Sequence, residues 1–314
     1  MRKKKIAILV LAAAVVLGAA MIPACGIYKQ QLKGKIQQYE QETNEDGIAV
    51  DMSENPYFNQ KQTGYDYRRL ETITYPSELT GTDRHAMIFL PADYDEEKQY
   101  PVLYLLHGLD GSHRTWRNKS ADIILQNLYY FEDVPEMIVV CPNSAVNEEE
   151  DTEDLDITEK IKAYDLTGKD LVENLMPYIN SHYPVKTGRE NTAIAGNSMG
   201  GRNTLYTAFT YPELFGYVGA FSSANVLADG QYQGIMHPLL EDLSLPSGIE
   251  DFQLIMLCVG RSDDVCGSVT YRLHDIMTEN EIDHIFYDTG GGHQNTVWQN
   301  ALYNFAKKLF REDS

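Results

Sequence analysis

The chain has 314 residues, of which 43% are apolar and 23% are charged, as is typical of a globular protein with one large or two small domains. This composition excludes intrinsic disorder, collagen and a polytopic membrane protein. The 26 Lys and Arg residues against 46 Asp and Glu residues give a net charge of −20, which repels phosphate backbones. Nucleic acid is therefore not an expected partner. Composition leaves the oligomeric state open.

The amino terminus has the layout of a secretory signal. Basic residues at 2–5 precede an apolar run from Ile6 to Ile22, and the sequence IPAC follows and ends at Cys25. IPAC is similar to a bacterial lipobox, in which Cys25 would be lipidated. The alternative for residues 1–25 is an uncleaved membrane anchor, since a run of 17 residues lies at the short limit for a membrane-spanning helix. Either alternative predicts an exported protein that is extracellular or at the cell surface, with membrane contact only through this terminus.

Two polar stretches follow. Residues 26–63 are rich in Gln, Lys, Glu and Asn with no sustained apolar period, which predicts a polar tether. Lys29–Glu42 could form a helix, but its apolar content is low for a packed face. The acidic stretch Asn147–Asp156 lacks the glycine and the ligand spacing of a calcium loop, so we expect an exposed loop.

From residue 64 to residue 314, short apolar strands alternate with amphipathic helices. This pattern predicts a single α/β domain with a mostly parallel central sheet and helices on both faces. The predicted strands are Arg69–Tyr75, His85–Leu90, Pro101–Leu106, Met137–Cys141, Thr192–Ala195, Tyr217–Phe221, Phe252–Val259 and His284–Tyr287. The predicted helices are Ala121–Tyr130, Leu166–Ser181, Thr204–Phe209, Val269–Asn280 and Val297–Phe310.

The strongest chemical signal is the sequence GNSMGG at 196–201, placed between a predicted strand and a predicted helix. It has the G-x-S-x-G pattern of a nucleophile elbow, in which Ser198 stands on a tight turn and the glycines let strand and helix approach. A structural Gly-rich turn is the alternative. An acyl-transfer site also needs donors for the oxyanion, and HGLDG at 107–111 follows a predicted strand where this fold places such a loop. We expect the backbone N–H groups of Leu109 and Met199 to be these donors.

The general base and the acid should follow the serine, in the order serine, acid, histidine. His293 lies in the flexible sequence GGGH after the last predicted strand, so it is the predicted base. Two aspartates, Asp263 and Asp264, follow the strand before it, and position after the turn favours Asp263 as the acid that orients the imidazole. Of the four cysteines, Cys258 and Cys266 flank this loop, so a disulfide between them is an open alternative to buried thiols.

Four segments together carry a family resemblance, in this order and spacing: HGLDGSHRTW from 107, GNSMGGR from 196, VGRSDD from 259 and GGGHQNTVW from 290. They resemble the esterase D-like esterases, and most closely the feruloyl esterase modules of bacterial xylanases in family 1 of the carbohydrate esterases. The resemblance spans about Tyr65 to the end of the chain. It implies an α/β-hydrolase fold with Ser198 as nucleophile, His293 as base and Asp263 as acid. It also implies that feruloyl or acetyl esters on plant cell-wall xylan are the substrates.

The chain departs from that family at two positions. Asp110 stands where such modules usually carry glycine, and Asn197 precedes the serine where several relatives carry an apolar residue. Asn197, Trp116 and Trp298 are the predicted substrate-binding residues, although core packing is the alternative for either tryptophan. The mechanism requires no metal or organic cofactor, and an ester or esterified polysaccharide is the expected partner. The alternatives are a siderophore esterase or an acyltransferase of this fold, and a non-catalytic surface module that binds polysaccharide.

Overall fold

A computed structural model describes residues 26–36, 38, 43–52, 55–228 and 240–311. Its centre is an eight-stranded sheet whose strands are mostly five to eight residues long. The apolar, β-branched-rich runs of the sequence form these strands. Their bounds are β1 Glu71–Ser77, β2 Thr82–Phe89, β3 Val102–Leu106, β4 Ile138–Pro142, β5 Thr192–Asn197, β6 Tyr217–Phe221, β7 Leu254–Gly260 and β8 Ile285–Thr289.

The strand order is β1-β2-β4-β3-β5-β6-β7-β8. Strand β2 pairs antiparallel with β1 and β4, and every other neighbouring pair in the sheet is parallel. The registers place Leu106 of β3 opposite Gly196 of β5, and Phe221 of β6 opposite Asn197. The loops that follow β3, β5, β7 and β8 therefore emerge at one edge of the sheet, where ligands bind in open α/β folds. The predicted mostly parallel sheet is confirmed.

Helices lie between most of the successive parallel strands. Their bounds are α1 26–36, α2 Thr115–Asn118, α3 Ala121–Phe131, α4 Ile157–Asp165, α5 Thr167–Asp170, α6 Met176–His182, α7 Met199–Thr210, α8 Gly267–Glu279 and α9 Asn295–Lys308, with a π-helical turn at Leu171–Leu175 between α5 and α6. The predicted long helix from Leu166 is thus divided into three parts. The sequence interpretation missed α4, although the sequence contains its capping box. The Asp156 side chain accepts a hydrogen bond from the Glu159 N–H, and the Glu159 side chain accepts one from the Asp156 N–H.

Both faces of the sheet are buried, which explains why the strand sequences are almost continuously apolar. Along β3, Leu103 and Leu105 face a core closed by α3 and α9. Val102 and Tyr104 face the opposite core, which α6, α7 and α8 close. This layering confirms helices on both faces and holds the strand ends rigidly at the edge that carries the loops.

The N-terminal segment, defined here as residues 43–52 and 55–60, differs from the predicted tether. Ile48, Met52 and Phe58 are buried in the core that α3 and α9 close. Two side chains of α9 fix the backbone of the segment, because Asn304 accepts from the Ala49 N–H at 2.9 Å and Asn300 donates to the Ala49 carbonyl at 2.7 Å. The folded unit therefore begins before residue 64. The apolar residues of the N-terminal segment follow no helical or strand periodicity in the sequence, because each packs separately on helices that lie far along the chain.

Cys258 and Cys266 are free buried thiols, so the structure contradicts the alternative of a disulfide between them. Within the described ranges, none of the helices is both long and apolar enough to span a membrane. The predicted signal or anchor at residues 1–25, including Cys25, lies outside those ranges.

Candidate active site

Ser198 stands on a sharp turn between β5 and α7. Its φ of +56° lies in the left-handed region, which a non-glycine residue adopts only where the surroundings enforce it. Both flanking glycines are required by close packing. A Cβ at Gly200 would lie 2.5 Å from the Leu106 carbonyl oxygen, and one at Gly196 would lie 2.5 Å from the Gly200 carbonyl oxygen. The elbow motif of the sequence therefore presents its serine at the edge of the sheet.

Three side chains from separate strand ends meet at this edge. His293 Nε2 lies 2.9 Å from Ser198 Oγ, and His293 Nδ1 lies 2.9 Å from Asp263 Oδ2. Asp264 is exposed, whereas Asp263 is buried. The geometry is that of a nucleophile, a base and an orienting acid, with Asp263 rather than Asp264 in contact with the imidazole.

The environment of Asp263 keeps its carboxylate charged. Its burial opposes ionisation, but the Cys266 N–H donates to Oδ1 at 2.8 Å, and His293 hydrogen-bonds the other oxygen. The Val265 N–H adds a third donor at 3.0 Å. The hydrogen bonds with Cys266 and His293 lower the pKa of Asp263 below its usual value, so the group is an anion at neutral pH.

The loop after β3 packs directly on the elbow. A Cβ at Gly108 would lie 3.1 Å from the Ser198 Cβ, so any larger residue there would press on the elbow. Leu109 follows Gly108, and Met199 is the first residue of α7, where the N–H has no acceptor within the helix. The two predicted oxyanion donors therefore belong to residues directly after Gly108 and directly after Ser198, and their role stays a prediction.

Helix α4 contacts the predicted oxyanion loop, residues 107–111, from outside. The Tyr164 hydroxyl donates to the Gly108 carbonyl at 3.1 Å, and Lys160 Nζ lies 2.6 Å from Asp110 Oδ1. Tyr164 also packs in one apolar cluster with Met199 and Leu109. Asp110 adopts a φ of +57°, which is the conformation that glycine prefers at this position. Sequence reasoning missed Tyr164 and Lys160 because it did not place α4.

His107, at the start of the loop, is a buried support. Its Nδ1 lies 2.7 Å from the Gly108 carbonyl, and its Nε2 accepts from the Ser144 N–H at 2.8 Å. Accepting at Nε2 places the single proton on Nδ1. Burial lowers the pKa of His107 to about 4, so the ring is neutral and holds the loop without adding charge.

Trp298 lies beside His293, the predicted base. Its ring meets the His293 ring edge to face, with centroids 5.1 Å apart. The ammonium of Lys119 lies 4.9 Å from the Trp298 centroid and 5.3 Å from that of Trp116. Lys119 is only 6% exposed, and burial lowers its pKa to about 8. Nothing in the sequence distinguished this lysine from a surface residue.

Two of the predicted substrate-binding residues are buried in the structure. Trp116 is 1% exposed and its indole N–H donates to the Leu106 carbonyl, so it supports the end of β3. Asn197 is 2% exposed and lies under Gly108, where its amide faces the loop. Their burial favours a supporting role for both side chains, and their contact with substrate stays a prediction. Trp298 is half-buried, and its role in substrate binding stays a prediction.

The described residues contain no group of three or more His, Cys, Asp or Glu side chains arranged to hold a metal ion.

The topology of the sheet and the loops at its strand ends show that the chain has the α/β-hydrolase fold. Residues 77–309 match the esterase family described as "Putative esterase". The chain is 33% identical to the CE1 ferulic acid esterase of Anaeromyces mucronatus, with a TM-score of 0.73 over 81% of this chain and 95% of that one. It thus belongs to this esterase family and, within it, to the family 1 carbohydrate esterases, and it is a carboxylic ester hydrolase.

Two curated relatives are also similar. An endo-1,4-β-xylanase/feruloyl esterase of Xylanibacter ruminicola is 24% identical over 281 residues, which are 85% of this chain and 35% of that protein. An acetyl esterase of Caldicellulosiruptor saccharolyticus is 26% identical over 164 residues, which are 49% of this chain and 56% of that protein. The chain thus spans about a third to a half of the length of these relatives.

Proposed function

We propose that this chain is a serine esterase that releases hydroxycinnamate, such as ferulate, from plant cell-wall xylan through an acyl-enzyme. The observation that carries the chemistry is the pair of 2.9 Å contacts that join Ser198, His293 and Asp263. Support for the acyl group comes from similarity to two proteins named for ferulate hydrolysis. The alternative acyl group is acetate, which the name of a second relative suggests.

In the proposed mechanism, His293 Nε2 takes the proton of Ser198 Oγ while that oxygen attacks the ester carbonyl. The N–H groups of Leu109 and Met199 stabilise the negative charge that develops on the carbonyl oxygen. Asp263 accepts from Nδ1 and stabilises the imidazolium. The imidazolium then protonates the leaving alcohol. Water next repeats the sequence on the acyl-enzyme, which releases the acid and restores the serine.

The decisive experiment uses the full chain with methyl ferulate and p-nitrophenyl acetate. We expect Ser198→Ala to lower kcat by at least about 10³-fold on both esters, because removal of the nucleophile leaves only oxyanion stabilisation and binding. Ser262→Ala, at an exposed serine of the acid loop, is the matched control and should keep normal activity. Normal turnover by Ser198→Ala would remove this serine from the mechanism, and an inactive wild type would favour the polysaccharide-binding module.

The same assay separates the remaining alternatives. Acetyl and cyclic siderophore esters in the substrate panel identify the acyl preference. Added sugar or alcohol acceptors reveal an acyltransferase, because transesterification product would then form in place of free acid. A hydrolase forms free acid whether or not acceptors are present.

We also propose that the protein is exported and that Cys25 is the lipidation site. The support is the order of basic run, apolar run and IPAC at residues 1–25. Mass spectrometry of the membrane-bound wild type should show an N-terminus at Cys25 that carries acyl chains, and Cys25→Ala should lose both features. A wild type that keeps residues 1–24 and carries no lipid would favour the uncleaved anchor.

A further inference from the structure

A groove of about 490 Å³ lies between the N-terminal segment and the loop that carries His293. One wall consists of Asn59, Gln60 and their neighbours, and the other of Gly291, Gln294 and Thr296. Two of these residues, Gly291 and Gln294, flank His293 within two positions in the sequence. The volume lies within the range of small-molecule binding sites, about 300–1,000 Å³.

The lining selects a neutral polar ligand. Its polar side chains are mainly amides and hydroxyls, and Gln60, Gln294 and Thr296 are exposed. Asp51 contributes a carboxylate, whereas the described lining residues include no Lys or Arg. An anionic polymer would find no cation there, but the hydroxyls of a neutral sugar would find both donors and acceptors.

The chemistry of ester cleavage predicts where the alcohol portion of the substrate lies. The leaving alcohol must lie beside His293 Nε2 to receive its proton, so the part of the substrate attached to that oxygen lies on the histidine side. The groove begins at the same loop. In an esterified polysaccharide, the sugar is the alcohol.

From this placement, we infer that the groove between the N-terminal segment and the His293 loop binds the neutral carbohydrate portion of the ester. The inference rests on the proposed function and extends it to the alcohol side of the substrate. It also gives a binding function to the N-terminal segment, which forms one wall.

The wall formed by the N-terminal segment is fixed before any ligand arrives. The Asn127 side chain donates to the carbonyls of Tyr57, Phe58 and Gln60 at 2.7, 3.1 and 2.9 Å. Asn59 donates to Gln299 of α9 at 3.3 Å. Because the backbone is already held, ligand binding costs little ordering entropy at this wall.

The test compares two esters of the same acid, methyl ferulate and a feruloylated arabinoxylo-oligosaccharide. We expect the double variant Asn59→Ala/Gln60→Ala to raise KM for the oligosaccharide ester about tenfold, as the loss of one or two hydrogen bonds predicts. Its kcat/KM for methyl ferulate should stay within about twofold of the wild type, because the methyl group of this ester is too small to occupy the groove. Gln253→Ala, at an exposed amide before β7 on the opposite edge of the sheet, is the matched control.

A second variant keeps the test independent of any folding defect in the N-terminal segment. Thr296→Phe fills the groove from the opposite wall and should give the same selective loss. Equal losses on both esters, or unchanged KM for the oligosaccharide ester in both variants, would overturn the inference. A wild type that cleaves only methyl ferulate would overturn it as well. Failure of the proposed function gives a different result, namely a wild type inactive on methyl ferulate.

Discussion

Replacing Lys119 with methionine removes a buried positive charge from the neighbourhood of the active site. The side chain is 6% exposed, and the partners that the structure shows for its ammonium are the faces of Trp116 and Trp298. Methionine keeps the length and the apolar character of the lysine stem. The variant therefore tests the cost of the charge separately from the packing of the side chain.

The magnitude follows from the pKa of the lysine. Burial lowers the pKa of Lys119 from 10.5 to about 8. Since one pKa unit corresponds to about 1.4 kcal/mol, keeping the ammonium charged in the folded state costs about 3 kcal/mol at pH 7. Two cation–π contacts offset about 1 kcal/mol of this cost. We expect Lys119→Met to raise the free energy of unfolding by about 2 kcal/mol at pH 7.

The pH dependence has a defined sign. Between pH 8 and 10.5 the unfolded chain binds the proton of Lys119 and the folded chain does not, so the wild type gains stability as pH rises. The advantage of Lys119→Met should thus shrink to below about 1 kcal/mol at pH 10. Urea unfolding at pH 7 and pH 10 measures this difference, with Lys169→Met at an exposed lysine as control. An equal difference at both pH values, or a variant less stable at pH 7, would refute the reasoning.

Three further predictions concern the acid and the oxyanion loop. Asp263→Asn should lower kcat by about 10⁴-fold, the loss seen when a triad aspartate becomes an amide. Asp264→Asn, at an exposed site, should leave kcat within about twofold of the wild type. A larger loss of kcat in Asp264→Asn than in Asp263→Asn, measured by steady-state kinetics, would exclude Asp263 as the acid. Tyr164→Phe removes the hydrogen bond to the Gly108 carbonyl and should lower kcat about three- to tenfold with KM unchanged. Lys160→Met breaks the ion pair with the largely exposed Asp110, so kcat should fall less than about threefold. For either loop variant, a raised KM with normal kcat would contradict a positioning role.

Much of the fold could be predicted because its signals are local. The buried strands read as apolar runs, and β6 occurs at the predicted bounds Tyr217–Phe221. The elbow also has a local cause, since its two glycines are enforced by backbone atoms of adjacent elements. Chain order then placed the acid and histidine loops after the last two strands, and the structure brings Ser198, Asp263 and His293 together.

The features that were missed depend on contacts distant in sequence. Ala49 is held by Asn300 and Asn304, which lie about 250 positions later, so no periodicity could reveal the N-terminal segment as part of the core. Burial of Trp116 and Asn197 is likewise a property of the assembled loops. Helix α4, in contrast, could have been predicted, because its capping box begins at the last residue of the acidic stretch.

The position of Lys119 has a spectroscopic consequence. The chain has two tryptophans, and both rings lie within 5.3 Å of the same ammonium. All indole fluorescence of the molecule therefore originates in one small region, and one of the two emitters touches the imidazole of His293. Entry of a ligand at this edge would register in unlabelled protein as a change in tryptophan emission, with no distant indole to dilute it.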